Sequence, residues 1–273
     1  MPTPPVALTI AGSDSGGAAG IQADLRTFLA HGVFGASAVT ALTAQNSHEV
    51  RDVHVPPPSF LLAQVEAVLD DLPVAAVKTG MLGRADVVET VAGLAASGRL
   101  PRLVVDPVLV DASGAPLLDD GAVDAYRERL LPHAHVTTPN VHEAARLLGA
   151  AVADRAGLHD AARRLAHLGP RVVVVTGGHT VTGTADLAVD VMADRDADEV
   201  VELASPRIDS ANTHGSGCSF ASAVAAGLAR GRAAPDAVAG AHAWVHAAIA
   251  SSADWALGRG HGPLDHGVRP PAT

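Results

Sequence analysis

Short runs of β-branched and aliphatic residues alternate with longer alanine-rich stretches along the whole chain. Continuous apolar runs such as Val172-Val173-Val174-Val175 predict strands buried on both faces, because a strand with one wet face alternates apolar and polar residues. On this pattern strands are expected at 6–11, 36–42, 50–55, 75–78, 103–106, 136–138 and 172–176, followed by a hairpin with arms 187–192 and 200–204. Helices are expected at 20–31, 58–71, 85–97, 119–130, 141–148, 157–168, 218–230 and 235–253. Strands and helices in alternation predict an α/β fold: a doubly wound, mostly parallel central sheet with helices on both faces. No fixed-period repeat or low-complexity linker divides the chain, so residues 1–273 read as one domain.

Composition narrows the partners. Of 273 residues, 48% are hydrophobic and 18% charged, which is enough to fill a sizeable core. The net charge of −10 repels phosphate backbones and anionic bilayers, so neither a nucleic acid nor a membrane is expected as a partner. One cysteine, Cys218, forms no internal disulfide and suits a reducing compartment. Met1-Pro-Thr-Pro-Pro5 carries no readable secretory signal, and a cytoplasmic location is expected. The stretch 237–253 lacks Asp, Glu, Lys and Arg, but its alanines, His242 and His246 mark a packed helix. Lys78 is the only lysine among nineteen basic residues.

In a doubly wound sheet, ligands bind beyond the C-terminal ends of the strands, so the residues there carry the candidate chemistry. The first strand leads into Gly12-Ser-Asp-Ser-Gly-Gly-Ala-Ala-Gly20, the fourth into Thr79-Gly80-Met81, and the fifth ends on Asp106-Pro107. Pro139-Asn140 follows the sixth, with Glu143 a turn on, and Gly177-Gly178-His179 follows the seventh. Asn212-Thr-His-Gly-Ser-Gly-Cys218 follows the hairpin. The first loop loosely fits a short-chain dehydrogenase fingerprint, but the only tyrosine, Tyr126, has Leu130 where the catalytic lysine belongs. Lys78 follows Val77, not a glycine, which excludes a Walker A loop, and no Gly-x-Ser-x-Gly elbow occurs.

Gly215, Ser216, Gly217 and Cys218 open a helix, where converging N–H groups and the helix dipole make an anion hole. A thiol there commonly has a pKa lowered toward neutrality; the plain alternative is a glycine turn beside an inert buried cysteine. Asp106, Asn140 and Glu143 suit Mg²⁺ as oxygen donors, while Asn140 with Glu143 also makes a helix capping box. His242 and His246, four apart on a helix, have no Glu partner or third ligand and read as structural.

Taken in order, several segments resemble the hydroxymethylpyrimidine/phosphomethylpyrimidine kinases of thiamine biosynthesis, a family of the ribokinase-like superfamily. They are Ala11-Gly-Ser-Asp-Ser-Gly-Gly-Ala-Ala-Gly-Ile-Gln-Ala-Asp-Leu-Arg-Thr-Phe28, Thr40-Ala-Leu-Thr-Ala-Gln-Asn46 and Lys78-Thr-Gly-Met-Leu82. Asp106-Pro-Val108, Thr138-Pro-Asn-Val-His-Glu143, Asn212–Cys218 and Gly260-His-Gly-Pro263 complete the set. The resemblance implies a ribokinase-like fold with minimal or no lid, ATP as phosphoryl donor and Mg²⁺ as cofactor. It implies two reactions: phosphorylation of 4-amino-5-hydroxymethyl-2-methylpyrimidine, then of its monophosphate. It also implies that Asp24 and Gln45 hydrogen-bond the aminopyrimidine while Gly12 and Met81 line its pocket.

By the same resemblance, Gly215, Ser216, Gly217 and Cys218 act on the transferred phosphoryl group. Asp106, Asn140, Thr176, Gly178 and His214 face the nucleotide, and Asp106 with Glu143 holds the metal. Cys218 replaces the Asp base of most ribokinase-like enzymes, and its thiolate is expected to take the alcohol proton. Two positions depart from the pattern: Ala18 stands where a glycine is usual and Thr176 where a lysine is. The competing readings are a pyridoxal kinase of the same subfamily and a non-catalytic pyrimidine-binding protein. A homodimer with an alanine-rich helical interface is expected. The length leaves no room for a fused thiamine-phosphate synthase domain.

Overall fold

The computed structural model describes residues 3–110, 118, 120–178 and 186–270. Asp119 and His179, both part of the expectations above, lie outside the described residues, as do Met1 and Pro2. Among the described residues, nine strands form one sheet in the order β3-β2-β1-β4-β5-β6-β7-β8-β9. They are β1 (Val6–Asp14), β2 (Phe34–Gln45), β3 (Val50–His54), β4 (Val74–Thr79), β5 (Val104–Val105), β6 (Val136–Thr137), β7 (Val172–Thr176), β8 (Leu187–Asp194) and β9 (Glu199–Pro206). Pairing is parallel from β2 through β1, β4, β5 and β6 to β7, and antiparallel at β3, β8 and β9. β3 is exposed along its length and forms with the end of β2 a short arm at the sheet edge.

The helices are α1 (Gly20–Ala30), α2 (Pro58–Leu69), α3 (Ala85–Ala96), α4 (Asp120–Ala125), α5 (Val141–Leu148), α6 (Arg155–Ala166), α7 (Ser216–Ala229) and α8 (Ala234–Ser251). α2 to α6 cover one face, where Leu8, Val77, Val105 and Val173 meet Val91, Leu147 and Leu165. α1, α7 and α8 cover the other, where Ala7, Val104, Val136 and Val174 meet Phe28, Val224 and Trp244. Burial on both faces is why the parallel strands read as unbroken apolar runs.

The expected helix at 119–130 is not regular throughout. α4 widens into a π-type turn at Tyr126–Leu130, then a 3₁₀ turn at Leu131–His133 that contains Pro132. Tyr126 is fully buried there and donates to the Gly80 carbonyl at 3.4 Å. β5 and β6 are also shorter than expected, because Asp106 and Thr138 leave the ladder after one last backbone bond each.

The strand order reverses between β1 and β4: β2 lies on one side of β1, and β4 to β7 lie on the other. Connections leaving β1 and β4 diverge to opposite faces and open a crevice at their C-terminal ends. Two glycines let those ends approach. A Cβ on Gly12 would lie 2.7 Å from Met81 Cε, and one on Gly80 would lie 2.8 Å from Lys78 Nζ.

Candidate active site

The loop after β1 is built around Asp14. Its Oδ1 accepts from Gly16 N–H at 2.8 Å, and its Oδ2 from Ala18 and Ala19 N–H at 3.0 and 2.9 Å. Burial opposes its charge, yet these bonds and the nearby His214 hold its carboxyl below the ordinary range. Ala18, where a glycine was expected, does not strain this turn. The left-handed positions are Gly17 and Gly20, while Ala18 has an ordinary negative φ.

A second loop docks on the first. Gly215, with φ +82°, precedes α7, and a Cβ there would lie 1.9 Å from the Ala18 carbonyl oxygen. Only glycine permits both the conformation and the contact. α7 begins at Ser216, so Gly217 and Cys218 lie in its first turn, where N–H groups have no intrahelical acceptor. His214 N–H bonds the Gly262 carbonyl, bringing the Gly260–Pro263 segment to the same place. Gln45, at the end of β2, lies 3.4 Å from His214 Nε2 and is half-buried.

Beneath the loops lies a buried charge cluster. Lys78 is wholly buried and bonds both oxygens of Asp24, at 3.0 and 3.1 Å. Asp24 also accepts from Thr9 Oγ1 at 2.6 Å and Ser222 Oγ at 2.7 Å. This corrects the expectation that Asp24 reads the pyrimidine: it has no exposed surface, and the helix that carries it turns it inward onto β1, β4 and α7. Burial alone would discharge Lys78, but the charge of Asp24 above all, with that of Asp106, holds its pKa above the ordinary value.

For the Cys218 thiol the shift runs opposite to the lowering expected at a helix N-terminus: burial pushes it up to about 12 although Lys78 opposes the shift.

Among the described residues, three buried oxygens at the strand ends lack hydrogen-bond partners: Thr79 Oγ1, which closes β4, and Asp106 Oδ2 and Thr138 Oγ1, which follow β5 and β6. Asp106 Oδ2 stands 3.7 Å from Lys78 Nζ. Glu143 completes the capping box with Asn140, accepting the Asn140 N–H at 2.9 Å, and is also buried. Burial and the Asp106 charge drive its carboxyl well above the ordinary range, and burial raises that of Asp106 to about 6. Two close carboxyls that resist ionising together, with unpartnered oxygens around them, fit a divalent cation.

Asn140 and Thr176 pair across adjacent strand ends, with Thr176 N–H on the Pro139 carbonyl at 2.9 Å. Gly178 is exposed with φ +51° and open space around it. The structure therefore gathers Gly12, Met81, Gln45, His214, Gly215, Ser216, Gly217, Cys218, Asp106, Asn140, Glu143, Thr176 and Gly178 at one edge of the sheet.

Asp14, Thr79 and Thr138 join the site without having been expected there. Asp14 had a signal in its Asp-Ser-Gly-Gly context, where a carboxylate binds N–H groups just downstream. The two threonines gave none beyond standing at strand exits.

Interlocked glycine loops over the C-terminal edge of a parallel sheet, one of them opening a helix beside buried carboxylates, define a phosphotransferase-type α/β site. Residues 14–265 match the phosphomethylpyrimidine kinase family, and the chain belongs to it. The hydroxymethylpyrimidine/phosphomethylpyrimidine kinase of Streptomyces coelicolor is 49% identical over 97% of this chain and 95% of its own length. The thiamine biosynthesis bifunctional protein of Geobacter sulfurreducens is 48% identical over 95% of this chain, which spans 51% of that longer protein. The chain is also similar to the Bacillus subtilis pyridoxal kinase solved with ADP (TM-score 0.89, 37% identity, 97% and 98% of the two chains), and the fold is ribokinase-like.

Proposed function

We propose that this protein transfers phosphate from ATP to 4-amino-5-hydroxymethyl-2-methylpyrimidine and then to the resulting monophosphate, in thiamine biosynthesis. The observation that carries this is the near end-to-end similarity to hydroxymethylpyrimidine/phosphomethylpyrimidine kinases at 45–49% identity. In this reading the pyrimidine lies in the crevice between β1 and β4, against Gly12 and Met81, and Gln45 offers amide donor and acceptor to its amino edge. Gly215, Ser216, Gly217 and Cys218 surround the acceptor oxygen, with first-turn N–H groups placed for the charge of the transferred phosphoryl group. Asn140, Thr176, Gly178 and His214 border the nucleotide.

Asp106 and Glu143 would hold Mg²⁺, directly or through water. When bound, the ion supplies charge neutralisation on the nucleotide phosphates.

A neutral Cys218 suits two acceptors of different charge. A carboxylate in its place would repel the monophosphate, whereas a thiol admits both it and the uncharged alcohol. Thr176 removes the lysine usual at that strand exit, which leaves Lys78 as the fixed cation of the cluster, beneath the loops. A second copy of the chain is part of the proposal, and the exposed edge strands are the face we assign to it in place of α7. Ser219–Ala229 of α7 are all buried within the fold, whereas Phe34, Leu42, Val50 and Val53 on β2 and β3 are exposed. Among the described residues, no helix is long and apolar enough to cross a membrane.

The likeness to pyridoxal kinases favours one second reading, in which pyridoxal is the acceptor. Mass spectrometry of products from Mg²⁺-ATP with the pyrimidine or with pyridoxal separates the two. Monophosphate followed by diphosphate from the pyrimidine is expected. Transfer to pyridoxal alone would overturn the substrate assignment, and transfer to neither would leave a binding protein.

A further inference from the structure

Away from the reacting groups, side chains from three elements form one hydrogen-bonded chain. His242 on α8 bonds through Nδ1 to Asp190 Oδ2 on β8 at 2.8 Å, and through Nε2 to Ser205 Oγ on β9 at 2.8 Å. Asp190 accepts with its other oxygen, Oδ1, from the Gly177 backbone N–H at 3.1 Å. An ionised carboxylate only accepts, so Nδ1 carries the proton, and in the neutral ring Nε2 accepts from the Ser205 hydroxyl. The side chains of His242 and Asp190 are 12% and 14% exposed, so water competes weakly for these bonds. His246, the other histidine of the pair, plays no part and donates to the Pro206 carbonyl.

The order Ser–His–Asp is that of a hydrolase triad, but the setting is wrong for a nucleophile. Ser205 lies within β9, in register with Ala188, and the next residue, Pro206, has no N–H to offer an oxyanion. The other end of the chain is more informative. β7 ends at Thr176, whose register partner is Asp190 itself, and the very next N–H is the one that Asp190 holds. Gly178 then turns with a positive φ. Asp190 thus fixes the direction in which the backbone leaves β7, and His242 fixes the rotamer of Asp190.

We propose that His242 is a positioning residue for the nucleotide: through Asp190 it sets the Thr176–Gly178 strand exit and with it the affinity for ATP. This rests on the kinase reading, in which that exit borders the nucleotide. Two amide substitutions separate the links, because an Asn nitrogen overlays Nδ1 and a Gln nitrogen overlays Nε2. His242→Asn keeps the bond to Asp190 and His242→Gln loses it.

Calorimetric binding of the non-hydrolysable analogue AMP-PCP and, separately, of hydroxymethylpyrimidine to the full chain is the test. His242→Gln is expected to weaken the analogue about tenfold, the loss of one charged hydrogen bond. His242→Asn should stay within about twofold, and pyrimidine affinity should hold in both. Equal weakening by both variants, none in either, or a parallel loss of pyrimidine affinity would overturn the proposal. If His242→Gln does not fold, His242→Leu, which also loses the bond to Asp190, serves: about tenfold weaker analogue binding is expected, and unchanged binding would overturn the proposal. A wild-type protein that binds the pyrimidine but no nucleotide would instead remove the kinase reading, and this inference with it.

Discussion

Asp24 is the residue whose meaning changed most between sequence and structure. An acidic residue one turn after a glycine loop suits a substrate contact, yet here it anchors the only lysine of the chain inside the core. Four hydrogen bonds from three side chains saturate it. Removing one partner of a buried ion pair leaves an uncompensated charge and typically costs about 3–5 kcal/mol. Asp24→Asn is therefore expected to lower unfolding stability by roughly 3 kcal/mol, with the pyrimidine KM changing less than about twofold. Urea titration and saturation kinetics decide this; a large rise in KM at unchanged stability would restore the substrate contact. The sequence did hold a clue, since a lysine inside the apolar run Val74–Thr79, in a sheet covered on both faces, has to be buried and paired.

Among the elements, hydrophobic periodicity located every strand and helix of the description within a few residues, because doubly covered strands and amphipathic helices leave strong patterns. Ends were harder to read wherever a single side chain sets them. α6 starts at Arg155, two residues before the expected 157, because Asp154 caps it by accepting from Gly157 N–H. Which loops touch was not legible in the sequence at all: Gly215 against Ala18 is a tertiary contact that neither periodicity nor the motifs announce.

One tie between elements is electrostatic. Arg155 and His159 of α6 grip Glu202 of β9, and their hydrogen bonds depress its pKa from 4.5 to about 2. Because the folded value is the lower one, the stabilisation is fully present above 4.5 and is lost as the pH falls through about 2. Glu202→Gln is expected to cause a small drop in the urea midpoint at neutral pH, as for surface pairs. That difference should narrow steadily as the pH is lowered from 4.5 toward 2. A gap that stays constant over this range would remove the ion pair as its cause.

For the molecule as a whole, the site is a place where stability has been left incomplete. Buried carboxyls with raised pKa values and three unpartnered oxygens oppose folding until something fills them. Ligands therefore ought to act strongly on the melting temperature. Mg²⁺-ATP at a hundredfold excess over its Kd is expected to add about 2.7 kcal/mol, a rise of roughly 5–10 °C. Chelating the metal with EDTA is expected to abolish most of that gain in a thermal scan. An undiminished gain would mean that Asp106 and Glu143 do not hold the ion.

The placement of α7 and α8 bears on how the protein is made. With α1 they cover one face of the sheet, and everything from Ser216 onward is the final fifth of the chain. While a ribosome adds that fifth, which takes roughly 3–12 s at ordinary elongation rates, Val104, Val136 and Val174 have no cover on that side. The nascent sheet is then a sticky apolar surface and has no active site, because the half of the anion loop that begins at Gly215 has yet to be synthesised. Co-translational chaperone binding should therefore concentrate late in synthesis and end when α7 docks, the same event that seats Gly215 on Ala18 and closes the site.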